Sequence, residues 1–274
     1  MRINTKGSTL DLSIPKIMGI LNITPDSFYD GGKFNSEKKA LEQVEKMIIS
    51  GADIIDVGGY SSRPGADEIS IENELTRVIP IIHMISKIFP KIVISVDTFR
   101  SKVANEAVNH GADIINDISA GGLDEKMFET VSKLNVPYIL MHMRGNPGNM
   151  MNQTNYDDVK KEVKNYFLKK ISNAKSMGIN DIIIDPGFGF SKTKNQNYEL
   201  LNNMEFLKDF KKPIVVGVSR KSMIYKTLGT TPEKALNGST VLHTVSLLKG
   251  ASIIRTHDVL EAAECVKIVS ELHS

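Results

Sequence analysis

Cysteine, tryptophan and net charge are what this chain has least of. Its 274 residues include no tryptophan, the single cysteine Cys265, and a formal net charge of only +2. One cysteine excludes an internal disulfide and a cysteine-based zinc site, and it favours a reducing compartment. The small net charge argues against a nucleic-acid partner, because such partners require strongly basic surfaces.

Long hydrophobic runs are also missing. Residues 1–7 lack the apolar centre of a secretion signal. The uncharged run at 235–248 has 14 residues and several polar side chains, whereas a bilayer span takes about 20 apolar residues. We therefore predict a soluble cytoplasmic protein with no membrane partner.

What the chain does contain is a series of eight short apolar stretches, nearly all followed by a polar or charged residue. They cover residues 17–23, 54–58, 92–96, 114–115, 138–141, 182–184, 214–218 and 251–254. This pattern is typical of an α/β fold, the (β/α)8 or TIM barrel, whose active site lies at the carboxyl ends of the strands. The length fits one barrel. We predict a single domain over residues 1–274, with an N-terminal hairpin at 1–13 and the barrel at 16–272.

A phrase that occurs four times supports the barrel. Residues 50–56, 110–116, 177–185 and 249–255 each combine a glycine with a run of β-branched residues. Gly51, Gly111, Gly178 and Gly250 fit the left-handed position that ends a helix. The runs that follow fit buried parallel strands.

The motifs at the strand ends together carry a resemblance. The eleven residues at 22–32, Asn-Ile-Thr-Pro-Asp-Ser-Phe-Tyr-Asp-Gly-Gly, form a very specific string. With the motifs at 58–66, 95–100, 115–117, 141–147, 185–190, 219–221 and 255–259, the chain resembles the dihydropteroate synthase family over nearly all of 17–272. The resemblance implies joining of a dihydropterin pyrophosphate to p-aminobenzoate in folate biosynthesis, with Mg²⁺. It also implies inhibition by sulfonamides and a homodimer.

The resemblance assigns a pterin site whose chemistry is reasonable. It gives Asp185 the amino and N–H edge of the ring, where a carboxylate can accept two parallel hydrogen bonds. Asn116 has both a donor and an acceptor for a mixed edge, and Lys221 donates to O4 and N5. Asp97 would stabilise positive charge that develops on the ring. Arg255 would stack on the pterin, and the catalytic residues would be Asp97, Lys221 and Arg255.

A diphosphate site is expected at the last strand. Arg255 and His257 are two residues apart, so their side chains point to the same side and form an anion clamp. The resemblance adds Ser62 and Asn22 to this site. It also gives Asn22 a part in holding Mg²⁺, an ion that needs few protein ligands.

The p-aminobenzoate site is expected beside the diphosphate. Ser222 lies at a predicted helix start, where free N–H groups suit a carboxylate. Core packing is the competing interpretation of Phe190. We also expect pterin pyrophosphate to bind first and to order the loops at 22–34 and 60–66. The predicted p-aminobenzoate residues are Phe28, Ser62, Arg63, Pro64, Phe190 and Ser222.

The chain departs from the family at two positions, and two other functions compete. Tyr60 and Ser62 stand where the family usually has glutamate and threonine, which affects loop dynamics and drug affinity more than the reaction. A methyltetrahydrofolate:corrinoid methyltransferase shares the barrel but needs neither the loop at 26–32 nor the clamp of Arg255 and His257. A catalytically idle pterin-binding paralogue would leave Lys221 and that clamp without a role.

Overall fold

The computed structural model describes residues 1–5, 8–23, 33–61 and 68–272. The strands of this part are β1 (Arg2–Thr5), β2 (Ser8–Asp11), β3 (Lys16–Asn22), β4 (Ile54–Gly58), β5 (Val93–Asp97), β6 (Ile114–Asp117), β7 (Tyr138–Met141), β8 (Ile182–Asp185), β9 (Val215–Val216) and β10 (Ile253–Thr256). The helices are α1 (Lys33–Ile49), α2 (Ile71–Ile88), α3 (Ser101–Asn109), α4 (Met127–Leu134), α5 (Val159–Ser176), α6 (Lys194–Asn202), α7 (Ser222–Leu228), α8 (Leu236–Leu248) and α9 (Val259–Glu271). Short 3₁₀ helices lie at Met150–Asn152, Met204–Phe210 and Pro232–Lys234.

The eight strands from β3 to β10 form one parallel sheet. Each strand from β3 to β7 pairs with the next one along the chain, and β10 pairs with both β3 and β9. A parallel bridge between Ile184 and Ile214 joins β8 to the segment before β9, and the Ile184 N–H donates to the Pro213 carbonyl at 2.9 Å. The sheet thus closes on itself, which confirms the predicted barrel.

The amino-terminal half of the barrel is filled by apolar side chains. Every barrel strand contributes one buried residue to this cluster, and the β1–β2 hairpin adds Ile3, Leu12 and the partly buried Leu10. The predicted N-terminal hairpin is present, and it closes the bottom of the barrel. The strand residues of the cluster are Met18, Ile54, Val93, Ile114, Ile139, Ile183, Val215 and Ile253.

The turns from helix to strand have the conformation that the repeated phrase predicted. Gly51, Gly111, Gly178 and Gly250 have φ values of 103°, 118°, 87° and 99°, a region that favours glycine. At Gly111 a Cβ atom would also lie only 2.6 Å from the Cβ of Ser86. These short turns set each strand directly after its helix and so align the strand ends.

The uncharged run at 235–248 folds as α8, which has 13 residues. Among the described residues, no helix has both the length and the apolar character needed to cross a membrane.

Candidate active site

Three of the predicted site residues lie in one row across the sheet. Asn22 pairs with Gly58, Gly58 with Asp97, and Asp97 with Asn116. Paired residues of parallel strands point to the same face, so these side chains share the barrel interior. A Cβ atom on Gly58 would lie 3.5 Å from the Asp97 Cβ and 3.7 Å from the Asn22 Oδ1. The missing side chain therefore leaves the space between Asn22 and Asp97 open.

The carboxyl ends of the strands surround a pocket. All five predicted pterin residues line it, although they come from five different β/α units. Four further residues complete the wall and were not predicted for it. The lining consists of Asp97, Asn116, Asp185, Lys221 and Arg255 together with Ile118, Met141, Phe190 and Gly217. The structure thus gathers these five residues on one rim, as the barrel pattern predicts.

Arg255 is held by two carboxylates inside the barrel. Its Nε donates to Asp56 Oδ2 at 2.7 Å and its Nη2 to Asp97 Oδ2 at 2.7 Å. The Nδ2 of Asn116 donates to the same oxygen of Asp56 at 3.1 Å. Asp56, which the sequence did not single out, is completely buried. The guanidinium is therefore a fixed cation in the pocket wall.

His257 follows the last residue of β10 and is exposed. Its Nδ1 lies 3.2 Å from the Oγ of Ser219, and its backbone N–H donates to the same oxygen at 3.2 Å. Ser219 is buried and also lies 3.3 Å from the Thr256 Oγ1. A buried hydroxyl thus orients an imidazole at the mouth of the barrel.

Burial shifts the pKa values of Asp97 and Lys221 towards pH 7. Burial raises the pKa of Asp97 to about 7, against the opposing charge of Arg255. It lowers the pKa of Lys221 to about 8, against the charge of Asp185. The pKa of Asp185 is also raised by burial, and Lys221 opposes that shift. Groups that titrate near pH 7 are typical of functional sites.

Two glycines shape the loop that follows β8. The N–H of Gly187 donates to Asp185 Oδ1 at 2.7 Å. Gly187 has a φ of 68°, and a side chain there would collide with the carbonyl oxygen of His142. Gly189 has a φ of 82°, and a Cβ atom on it would lie 3.0 Å from the Cδ of Lys221. Only glycine lets the loop fold back over these neighbours.

Lys221 lies against this loop. Its Nζ donates to the carbonyl oxygen of Phe188 and lies 4.7 Å from the centre of the Phe190 ring. Phe190 was predicted to contact p-aminobenzoate, but here it lines the same pocket as Asp185. Ser222 is the first residue of α7, directly after Lys221, and is half-buried.

The buried side chain of Lys192 stabilises the loop that follows β8. The Nζ of Lys192 lies 2.9 Å from His142 Nδ1, and it donates to the carbonyls of Gly187 and Phe190 at 3.0 Å each. Burial lowers the pKa of both Lys192 and His142 well below their usual values. Lys192 was not predicted as a site residue. Its place two residues after the Gly-Phe-Gly-Phe run at 187–190 could have indicated a role in this loop.

Several predicted residues lie outside the described part of the chain. They are Phe28, Ser62, Arg63 and Pro64. Tyr60, at the edge of this region, packs edge-on against Phe99 with ring centres 5.1 Å apart, and the Arg100 guanidinium lies 5.3 Å from each ring centre.

The described residues also bear on the expected Mg²⁺. They contain no group of three or more histidine, cysteine, aspartate or glutamate side chains arranged to hold a metal. Asn22 offers an amide oxygen beside Asp97 at the pocket mouth. Mg²⁺ prefers oxygen ligands and usually keeps waters and substrate phosphates, so this single amide oxygen fits a substrate-bound ion.

Comparison with known proteins agrees with this geometry. The family model described as "Pterin binding enzyme" matches residues 18–257. The dihydropteroate synthase of Escherichia coli strain K12 is 45% identical over 272 residues, which cover 98% of this chain and 95% of that protein. The chain belongs to the dihydropteroate synthase family. Membership confirms the predicted resemblance and the predicted class of enzyme, a transferase of folate synthesis.

Solved structures of the family share the fold closely. A dihydropteroate synthase of Yersinia pestis in a sulfonamide drug complex superposes with a TM-score of 0.94 at 41% identity, covering 100% of this chain and 99% of that one. The enzyme of Xanthomonas albilineans with 4-aminobenzoic acid gives a TM-score of 0.93 at 36% identity, covering 100% and 98%.

Proposed function

We propose that the chain condenses 6-hydroxymethyl-7,8-dihydropterin pyrophosphate with p-aminobenzoate. The products are 7,8-dihydropteroate and pyrophosphate, in folate biosynthesis. The observation that carries this proposal is the single pocket that unites Asp97, Asn116, Asp185, Lys221 and Arg255 in a chain of this family.

The pterin ring is held by three side chains. Asp185 is buried and accepts from the amino and N–H edge. Asn116 binds a second edge, and the Nζ of Lys221 donates to O4 and N5. Phe190, Ile118 and Met141 add apolar contact with the ring.

The reaction is a substitution at the pterin CH₂ group. The C–O bond breaks first, and its electron pair leaves with pyrophosphate. The neutral arylamine nitrogen then bonds to the cationic carbon and loses a proton to solvent. Asp97, fixed by Arg255 at 2.7 Å, supplies the negative charge that stabilises the cation. The closed end of the barrel excludes water from below, and positioning supplies the rest of the rate enhancement.

The departing diphosphate is bound at the mouth of the barrel. Arg255 and His257 provide positive charge and N–H donors, together with the predicted Ser62. Asn22 would hold Mg²⁺, which neutralises phosphate charge when bound. Ser219 orients the His257 ring for this contact.

The p-aminobenzoate subsite is proposed beside Ser222, with Phe28, Ser62, Arg63, Pro64 and Phe190 around it. Sulfonamides would occupy it as competing ligands. Pterin pyrophosphate is proposed to bind first and to complete this subsite.

A homodimer in the cytoplasm is proposed for the assembled enzyme. Large apolar side chains on α8 and α9 support a partner surface, because they are about half exposed or more. They are Val241, Leu248, Leu260 and Ile268, with exposed fractions of 54%, 47%, 52% and 66%. Light scattering of the purified chain would give twice the monomer mass if a second copy covers them.

A pyrophosphate-release assay tests the proposed reaction. Release should require both dihydropterin pyrophosphate and p-aminobenzoate, and dihydropteroate should form in equal amount. Methyl transfer from methyltetrahydrofolate to a corrinoid, with no pyrophosphate release, would favour the methyltransferase. Pterin binding without either reaction would indicate an idle paralogue.

A further inference from the structure

Asp56 is a buried carboxylate that the proposed reaction does not use directly. It lies on β4, two residues before Gly58, and pairs with Ile20 on one side and Ser95 on the other. It is completely buried and does not line the pocket. Its position is thus one layer below the row that contains Asp97 and Asn116.

One oxygen of Asp56 joins two residues of the pocket. Oδ2 accepts from Arg255 Nε at 2.7 Å and from Asn116 Nδ2 at 3.1 Å. Its other oxygen, Oδ1, has no hydrogen-bond partner among the described residues. A buried carboxylate is stable when it is paired with a cation. Here that cation is Arg255.

These contacts fix what Asn116 can offer to a ligand. A carboxylate only accepts hydrogen bonds, so it must face the NH₂ group of the Asn116 amide. The Asn116 carbonyl oxygen is thereby turned away from Asp56, as an acceptor for the pocket. The same carboxylate holds the Nε of Arg255, while Nη2 of that guanidinium binds Asp97.

We propose that Asp56 is a positioning and specificity-determining residue. It acts through Asn116, whose acceptor it directs into the pocket, and through Arg255, whose orientation it fixes. It thereby selects a heterocycle that presents an N–H donor to Asn116. This inference rests on the proposed function of the pocket.

The test compares Asp56→Asn with Ser95→Ala. Ser95 is the paired residue on β5, is completely buried, and its hydroxyl has no partner in the described part of the chain. In Asp56→Asn the amide oxygen can keep both contacts of Oδ2, but the negative charge that pairs with Arg255 is lost. We expect this variant to weaken binding of 6-hydroxymethyl-7,8-dihydropterin pyrophosphate, with Mg²⁺ present, by about tenfold, because hydrogen bonds to charged groups are roughly twice as strong as neutral ones. The KM for p-aminobenzoate should stay within about twofold, and Ser95→Ala should leave both constants unchanged.

A double-mutant cycle separates positioning from general destabilisation. If Asp56 acts through Asn116, Asp56→Asn should weaken pterin binding less in an Asn116→Ala background than in the parent. Equal fold-losses in both backgrounds would overturn the action through Asn116. Pterin affinity in Asp56→Asn equal to that of the parent would overturn the whole proposal.

A charge-preserving swap covers the case in which Asp56→Asn does not fold. In Asp56→Asn with Asn116→Asp, the new amide can donate to the new carboxylate, which still presents an acceptor to the pocket. The Arg255 Nε then loses its contact with residue 56, but one negative charge stays beside the guanidinium. Its pterin affinity should exceed that of Asn116→Asp alone, and affinity no better than that single variant would overturn the proposal. An unchanged parent that releases no pyrophosphate from both substrates would instead refute the proposed function.

Discussion

Replacement of Asp185 by asparagine is the most informative single change in the pocket. The Gly187 N–H already donates to Asp185 Oδ1 at 2.7 Å. In Asp185→Asn the amide oxygen must keep that backbone contact, so the NH₂ group has to face the pterin. The ring would then meet a donor where its own amino and N–H groups need an acceptor.

The expected loss follows from these two effects. Losing a charge-assisted hydrogen bond and opposing two donors should together cost about 3 kcal/mol, or roughly 100-fold in pterin affinity. Stability should change little, because burial already disfavours the charged form of Asp185 and raises its pKa. Calorimetric titration with the pterin substrate and a thermal unfolding curve measure the two quantities.

Asp181→Asn is a matched control for this prediction. Asp181 precedes the same strand at its opposite end, where its carboxylate lies 3.5 Å from Asn4. This control should bind pterin like the parent. An unchanged affinity in Asp185→Asn would show that this carboxylate does not bind the ring and would refute the reasoning.

Three further predictions concern titration and backbone shape. The kcat/KM for the pterin substrate should follow a bell-shaped pH profile, since the reaction needs Asp97 ionised above its pKa of about 7 and Lys221 protonated below its pKa of about 8; a flat profile from pH 6 to 9 would contradict this assignment. Gly187→Ala should destabilise the fold more than Gly229→Ala in chemical denaturation. Both have positive φ, which costs about 1–2 kcal/mol with a side chain, but only at Gly229 is the space around a Cβ atom open. Burial lowers the pKa of His243 to about 4, so the unfolded chain takes up this proton at higher pH than the folded one. The free energy of unfolding should therefore fall by about 3 kcal/mol as pH drops from 6.5 to 4, and His243→Phe should reduce that slope; an equal slope in the variant would exclude His243 as its source.

The barrel was predictable because its signals are local and repeated. Four of the helix-to-strand turns use a glycine with positive φ, and the sequence around that glycine is nearly the same in all four. The predicted bounds of the strands agree less well with the structure. The stretch predicted as a strand at 214–218 forms regular pairing only at Val215–Val216, because Ile214 instead bridges to Ile184 and closes the barrel.

The same repeat also indicates Asp56 as a site residue, although Asp56 was not predicted as one. The four phrases end in Asp56, Asn116, Asp185 and Arg255, and three of these were predicted as site residues. Asp56 binds Asn116 and Arg255, and these two line one pocket with Asp185. Equivalent places in a repeated β/α unit face the same interior, so the fourth member could have been included.

The contacts that hold the pocket together were not predictable from one sequence. Arg255 and Asp56 are 199 residues apart along the chain, and only closure of the barrel brings them together. The burial of Lys192 depends likewise on its packing against His142, 50 residues away. Motif spacing reports which residue types follow each strand, but it does not report which of them pair across the barrel.

A crystal structure with 6-hydroxymethyl-7,8-dihydropterin pyrophosphate and Mg²⁺ tests the central claim most directly. We predict the ring between Asp185 and Asn116, with Lys221 at O4 and N5, the diphosphate beside His257, and Asp56 still bound to Arg255. A pterin bound outside the pocket, or one whose amino and N–H edge does not face Asp185, would contradict this account.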